Sequence, residues 1–208
     1  MSKRIYAVTD RAWLNGKTLG WAVSEAIKGG AEIIQLREKN LPFEEFLKEA
    51  NELRALCKKN GVKFIVNDNV EVAKLCGADG VHVGQEDLKN SSVREIKEYL
   101  CGAEVGVSAN TVELALDAER EGADLIGVGA MFQTGTKADA ESVSMETLER
   151  ICGAVKIPVY AIGGINRENI GVFANSGVAG AAVVSAIFAA EDMRAATAEL
   201  KKLIGGEV

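Results

Sequence analysis

Apolar positions fall along this chain in short runs that alternate with longer stretches of helical spacing. Four of the joints between them share one form: Gly30-Ala31-Glu32-Ile33-Ile34, Gly77-Ala78-Asp79-Gly80-Val81, Gly122-Ala123-Asp124-Leu125-Ile126 and Gly177-Val178-Ala179-Gly180-Ala181. Each follows an amphipathic stretch and leads into a β-branched or otherwise apolar run. A glycine just past a helix supplies the left-handed position that ends it, and an unbroken apolar run reads as a strand buried on both faces. The joint is a repeated helix-to-strand connection. Extending the pattern predicts eight strands, near 4–9, 32–37, 63–67, 80–84, 104–108, 124–129, 158–163 and 180–185.

Helical patterns lie between them. After Pro42, the residues Phe43, Phe46, Leu47, Ala50, Leu53 and Cys57 share one face, and Pro42 with Glu44 and Glu45 suits a helix start. Asn110 followed by Glu113 reads as an N-cap with its capping partner, and Asn166 as the cap of a helix before Ile170. Eight βα units in 208 residues average about 26 residues each, within the range of a compact TIM barrel. The expected fold is therefore α/β, a single (β/α)₈ TIM barrel over residues 1–208. An open doubly wound sheet is the competing architecture. Thr9-Asp10 follows the first strand where a dinucleotide fold would carry its glycine-rich turn, so that alternative lacks support.

Composition narrows the function classes. Apolar residues make up 48% and charged residues 26%, as in ordinary globular proteins. The formal charge is −6 and no basic cluster exceeds a lysine pair, which argues against a nucleic-acid partner. Any anionic substrate must be met by local groups. The apolar run from Val178 to Ala190 is too short to span a bilayer, and no signal-peptide pattern opens the chain. Cys57, Cys76, Cys101 and Cys152 are widely spaced and read as reduced thiols. The expectation is a cytoplasmic protein without a membrane partner. A homo-oligomer is left open.

In a barrel, chemistry collects where strands end. Strand two ends in Gln35-Leu36-Arg37-Glu38-Lys39, and alternation points Gln35 and Arg37 towards the axis. A charge inside a strand is costly unless paired, so a bound anion explains Arg37; Lys39 alone reads as a solvated loop residue. Asn67-Asp68 and Gly84-Gln85-Glu86-Asp87 end strands three and four. Their aspartates could share Mg²⁺, which takes one or two carboxylates plus phosphate oxygens, or be turn and cap residues. His82, the one histidine, reads as packed or hydrogen-bonded inside the barrel. Ser108 either donates to a substrate oxygen or helps start the next helix. Thr134, Gly135, Thr136 and Lys137 after strand six suit phosphate oxygens, or form a surface loop. Gly163-Gly164 and Val184-Ser185 end the last two strands, where barrels place a phosphate against backbone N–H groups. No Ser–His pair and no evident general base accompany these groups.

Gln35-Leu36-Arg37-Glu38-Lys39, Val66-Asn67-Asp68, Gly80 to Leu88, Gly106-Val107-Ser108, Gly127-Val128-Gly129, Thr134 to Lys137, Ala161 to Ile165 and Val184 to Ile187 together resemble the thiamine phosphate synthase family. The resemblance runs along nearly the whole chain. It implies an enzyme that joins hydroxymethylpyrimidine diphosphate to a thiazole phosphate, yielding thiamine phosphate and pyrophosphate. By matching positions, Gln35, Leu36, Arg37, Glu38, Lys39, Asn67, Ser108 and Lys137 would contact the pyrimidine diphosphate. Thr134, Gly135, Thr136, Gly164, Val184 and Ser185 would contact the thiazole phosphate. Asp68 and Asp87 would hold Mg²⁺, and Arg37, Lys137 and Ser108 would act in catalysis. A dissociative mechanism, in which pyrophosphate leaves before the thiazole nitrogen attacks, agrees with the missing base. Asn69 stands where arginine is common, Asn110 where histidine is common, and Ala130-Met131 replaces a proline-containing turn.

The rivals are a thiazole tautomerase on the same fold, a sugar-phosphate epimerase or isomerase, and a barrel that only binds thiamine precursors. The presence of Asp87 and the absence of histidine at position 110 favour the synthase over the tautomerase. Sugar-phosphate enzymes need acid/base pairs that this rim does not supply. The diphosphate and metal set argues against mere binding.

Overall fold

A computed structural model describes residues 2–133 and 142–206. Eight parallel strands close into a barrel in chain order: β1 (Arg4–Val8), β2 (Ile33–Leu36), β3 (Lys63–Asn67), β4 (Gly80–Val83), β5 (Glu104–Ser108), β6 (Leu125–Val128), β7 (Val159–Ile162) and β8 (Gly180–Val183). The register runs Tyr6 to Ile33, Ile33 to Lys63, Ile65 to Gly80 and onward until Arg4 meets Gly180. Each predicted strand is present, most of them one or two residues shorter than read.

Around the barrel lie α1 (Leu19–Lys28), α2 (Phe43–Asn60), α3 (Val70–Cys76), α4 (Val93–Tyr99), α5 (Val112–Glu121), α6 (Met145–Ala154), α7 (Ser185–Phe188) and α8 (Met193–Ile204). Phe46, Ala50, Leu53 and Cys57 form the buried stripe of α2, while Phe43 stays exposed. Pro42 is the N-cap of α2 rather than its first helical residue. Two capping expectations are corrected. Thr111 caps α5 by accepting from Leu114 N, and the helix expected after Asn166 is a 3₁₀ turn, Ile170–Phe173, preceded by Asn169.

The repeated joint has a physical basis at Gly77 and Gly122, which end α3 and α5 with φ of +64° and +99°. At Gly177 the reason differs: a Cβ there would lie 2.8 Å from the Cβ of Cys152 on α6. In the first three joints an acidic residue closes the N-terminal rim. Asp79 accepts from Phe64 N at 2.8 Å and pairs with Arg54 at 3.1 Å. Asp124 accepts from Val105 N at 2.8 Å and pairs with Lys97 at 2.7 Å. Glu32 pairs with Lys201 of α8.

Strand alternation divides the apolar residues. One cluster lies between strands and helices, and a smaller one, Tyr6, Val8, Ile33, Ile65, Leu125, Tyr160 and Ala182, fills the barrel. Tyr6 and Tyr160 meet edge to face there, 5.4 Å apart. No helix among the described residues is long and apolar enough to cross a membrane.

Candidate active site

The end of β1 holds the backbone that follows β2. Thr9, fully buried, donates its N–H to Gln35 O at 2.9 Å and accepts the Arg37 N–H on its hydroxyl at 3.0 Å. Gln35 is buried in the barrel and donates its side-chain amide to the Tyr6 hydroxyl at 2.7 Å. Burial pushes that phenol well above its ordinary range, so Tyr6 stays neutral. Leu36 is buried in the outer cluster, which leaves only its backbone to meet a ligand. Among the described residues the Arg37 guanidinium has neither hydrogen bond nor ion pair.

Glu38 behaves differently from its neighbours. Its side chain is only 5% exposed and accepts from Arg11 Nε at 2.8 Å; the same guanidinium reaches Glu49 on α2. Burial pushes the Glu38 carboxyl up while Arg11 opposes the shift. Lys39 is half exposed and its Nζ lies 3.6 Å from Asp68 Oδ2.

Asn67 closes β3, and Asp68 follows with φ +62°, donating its N–H to His82 O at 2.8 Å. Asn69 caps α3 by accepting from Val72 N at 2.9 Å, which is its work in place of a charged side chain. Asp87 lies in the 3₁₀ turn after β4 and accepts from Gly84 N at 2.8 Å. Burial first, and the Asp87 charge second, push the Asp68 carboxyl above the usual range, against the pull of Lys39. The Asp87 charge therefore reaches the Asp68 carboxyl. Among the described residues no group of three or more histidine, cysteine or acidic side chains converges. A pair of carboxylates with excess negative charge suits Mg²⁺, which completes its shell with water and phosphate oxygens. Beside it is a cleft of ≈ 330 Å³ lined by Glu38, Lys39, Asn67, Asp68 and Asn69, with Leu41 and Phe46 as an apolar wall.

His82 crosses the barrel interior where Gly106 and Gly127 leave room: a Cβ at Gly106 would lie 2.6 Å from its Nδ1. Its Nε2 is 3.0 Å from Ser108 Oγ, and Gln85 donates to Ser108 O at 2.6 Å. Ser108 is thus held by His82 at its hydroxyl and by Gln85 at its backbone oxygen, which corrects the expectation that no Ser–His pair stands at this rim; the next helix is capped by Thr111. The Asn110 side chain accepts from Gly129 N at 3.1 Å, tying the ends of β5 and β6 together.

Thr134, Gly135, Thr136 and Lys137 lie outside the described residues. On the last two strands, Gly164 has φ +66° and its carbonyl accepts from Asn169 at 2.9 Å. A Cβ on Gly164 would lie 2.5 Å from Gln133 O and 2.7 Å from Phe132 O. Val184 and Ser185 follow β8, with Ser185 exposed at the start of α7. The described candidates from six strands thus share the C-terminal rim. The groups missed in the sequence are Thr9 and Arg11, although a polar run directly after β1 was itself a signal.

The thiamine monophosphate synthase family profile matches residues 5–187. A thiamine-phosphate synthase from Clostridium tetani is 46% identical over 198 residues, 94% of this chain and 93% of that protein. One from Pyrococcus furiosus is 43% identical, covering 97% of this chain and 94% of its own length. The solved structure of a thiamine phosphate pyrophosphorylase from Pyrococcus furiosus superposes with a TM-score of 0.90 at 40% identity, over 100% of this chain and 98% of that one. With the match extending through every strand that supplies the rim, the chain belongs to the thiamine monophosphate synthase family.

Proposed function

We propose that residues 1–208 form one catalytic barrel that transfers a hydroxymethylpyrimidine group from its diphosphate to a thiazole phosphate, giving thiamine phosphate and pyrophosphate. The observation that carries this reading is the meeting of a basic segment, Arg37 to Lys39, with the Asp68–Asp87 pair at adjacent strand ends. That combination suits a diphosphate and little else on the rim. Asn110 supplies an amide rather than a base, which leaves the tautomerase without its proton carrier.

In this reading the pyrimidine diphosphate lies against Gln35, Arg37, Lys39, Asn67, Ser108 and Lys137, with the backbone of Leu36 and Glu38 beside it. Gln35 keeps its side-chain oxygen for the pyrimidine because its amide nitrogen already serves Tyr6. The thiazole phosphate lies against Thr134, Gly135, Thr136, Gly164, Val184 and Ser185. The carbon–oxygen bond between the pyrimidine methylene and the diphosphate breaks first, and the electron pair leaves with pyrophosphate. The pyrimidine-stabilised cation is then captured by the lone pair of the thiazole nitrogen, so no proton need be abstracted in the bond-forming step. Arg37 and Lys137 meet charge that grows on the leaving group, and Ser108 holds a fixed hydroxyl against it. Mg²⁺ held by Asp68 and Asp87 would supply further neutralisation of that charge. Four free cysteines, Cys57 pushed up to about 12 by burial, accord with a reducing cytoplasm.

The test is direct. Purified protein with both precursors and Mg²⁺ should form thiamine phosphate and pyrophosphate in equal amounts. Isomerisation of a thiazole without pyrophosphate release would point to the tautomerase, and binding without turnover to a precursor-binding barrel.

A further inference from the structure

Arg11 belongs to none of the strand ends that face the cleft, yet it fixes the segment that does. Asp10 accepts from Ala12 N at 2.9 Å and so caps the 3₁₀ turn Arg11–Trp13 directly after β1. From that turn Arg11 reaches Glu38 in the loop after β2 and Glu49 on α2, joining three elements through one guanidinium. Together with the two Thr9 contacts to the Gln35 and Arg37 backbone, its bond to the Glu38 carboxylate makes the β1 loop grip the Gln35–Glu38 segment at three points.

The charge pattern gives the grip a second consequence. Arg37 and Lys39 flank Glu38, whose carboxylate is almost fully buried against Arg11. An uncompensated carboxylate there, added to Asp68 across the cleft, would repel an incoming diphosphate at short range, where screening is weak. We infer that Arg11 is a positioning residue for the diphosphate: it orients the Arg37–Lys39 segment through Glu38 and cancels the Glu38 charge beside the cleft. The inference rests on the proposed assignment of that segment to the pyrimidine diphosphate.

Steady-state kinetics with each substrate varied separately test it, at saturating Mg²⁺ and with melting curves to show that each variant folds. Arg11→Met should raise KM for the pyrimidine diphosphate roughly tenfold, within the range for members of one ion-pair network, and leave KM for the thiazole phosphate within about twofold. Arg11→Lys keeps the charge but not the two-pronged contact, and should show a smaller rise. Combining Arg11→Met with Glu38→Gln should recover part of the loss, because the carboxylate beside the cleft is then neutral, while Glu49 stays unpaired and the orienting contact stays lost. A purely structural role would not respond to that second change. Equal increases in both KM values, or no recovery in the double variant, would overturn the inference. Lys39→Ala separates the two readings: if it leaves the pyrimidine KM untouched, the site assignment falls, whereas a rise there with an unaltered Arg11→Met discards only the role of Arg11.

Discussion

Asp68 is asked to hold a left-handed backbone, φ +62°, and a carboxylate in a half-buried place beside Asp87. Its raised pKa has a definite sign in stability: the folded protein holds this proton more tightly than the unfolded chain does. Ionised Asp68 therefore works against the metal-free fold at neutral pH, and the cost lessens as pH falls towards the unfolded carboxylate value. Asparagine tolerates the same backbone. Asp68→Asn should thus melt slightly above the wild type in chelator near neutral pH, converge with it in acid, and lose turnover by orders of magnitude. Melting curves from about pH 3.5 to 8 beside a turnover assay check all three. Gly164 is the opposite case. A glycine there suggests close approach of a phosphate, but φ +66° and a Cβ position 2.5 Å from Gln133 O already require one. Gly164→Val should therefore disturb the β6 and β7 loops and damage both substrates alike. Ser185→Ala is the cleaner probe. Loss of a hydrogen bond to a charged group costs about 1.5–3 kcal/mol, so KM for the thiazole phosphate should rise by roughly ten- to a hundredfold with the pyrimidine KM unchanged.

At the scale of elements, the repeated Gly-Ala-acid joint couples three tasks: it ends a helix, starts a strand and closes the rim. Asp124 satisfies Val105 N and pairs with Lys97, so Asp124→Ala removes the cap of a strand and a counter-charge together. An unsatisfied, partly buried N–H costs about 1–3 kcal/mol. Urea denaturation should register a loss of that size, with kcat and both KM values unaltered. Such joints were legible because their parts are adjacent in the chain, and so were all eight strands. What was misread depends on distant partners. Asn110 and Thr111 are equally good caps on paper, and the choice falls to Thr111 because Asn110 is drawn to Gly129, 19 residues on. The partner of Glu38 was not legible either: its carboxylate, named with the groups that would meet the pyrimidine diphosphate, accepts from Arg11, 27 residues upstream. Asn166 is a local misreading instead: its side-chain oxygen accepts from Glu168 N and its own N–H donates to Asn169 Oδ1, which makes a turn where a helix was expected. The placement of Asn67, Asp68 and Ser108 at strand ends followed from the strand pattern; which neighbours hold them did not.

Across the whole molecule the two rims divide the work. The N-terminal rim carries paired charges, Arg54–Asp79, Lys63–Glu104, Lys97–Asp124 and Lys201–Glu32, each tying elements that are apart in sequence. The C-terminal rim leaves Arg37 without a partner among the described residues and sets the Asp87 charge against a half-buried Asp68, arrangements that a ligand would relieve. In a closed barrel with no free edge, such relief is felt as stability of the entire domain. Pyrophosphate, the proposed product, provides the measurement. A ligand at a hundred times its dissociation constant stabilises the folded state by about 2.7 kcal/mol. For a chain of this length that corresponds to a rise in Tm of roughly 5–10 °C. The rise should require Mg²⁺, because the protein alone presents two carboxylates to the diphosphate and carries −6 overall. In chelator, pyrophosphate should leave Tm nearly where it was, and turnover should cease. Asp87→Asn keeps an oxygen for the Gly84 N–H contact and should fold normally while losing most of the Mg²⁺-dependent rise. Full turnover in excess chelator would remove the metal from the mechanism. A rise in Tm of the same size without Mg²⁺ would assign the diphosphate to Arg37, Lys39 and Lys137 alone.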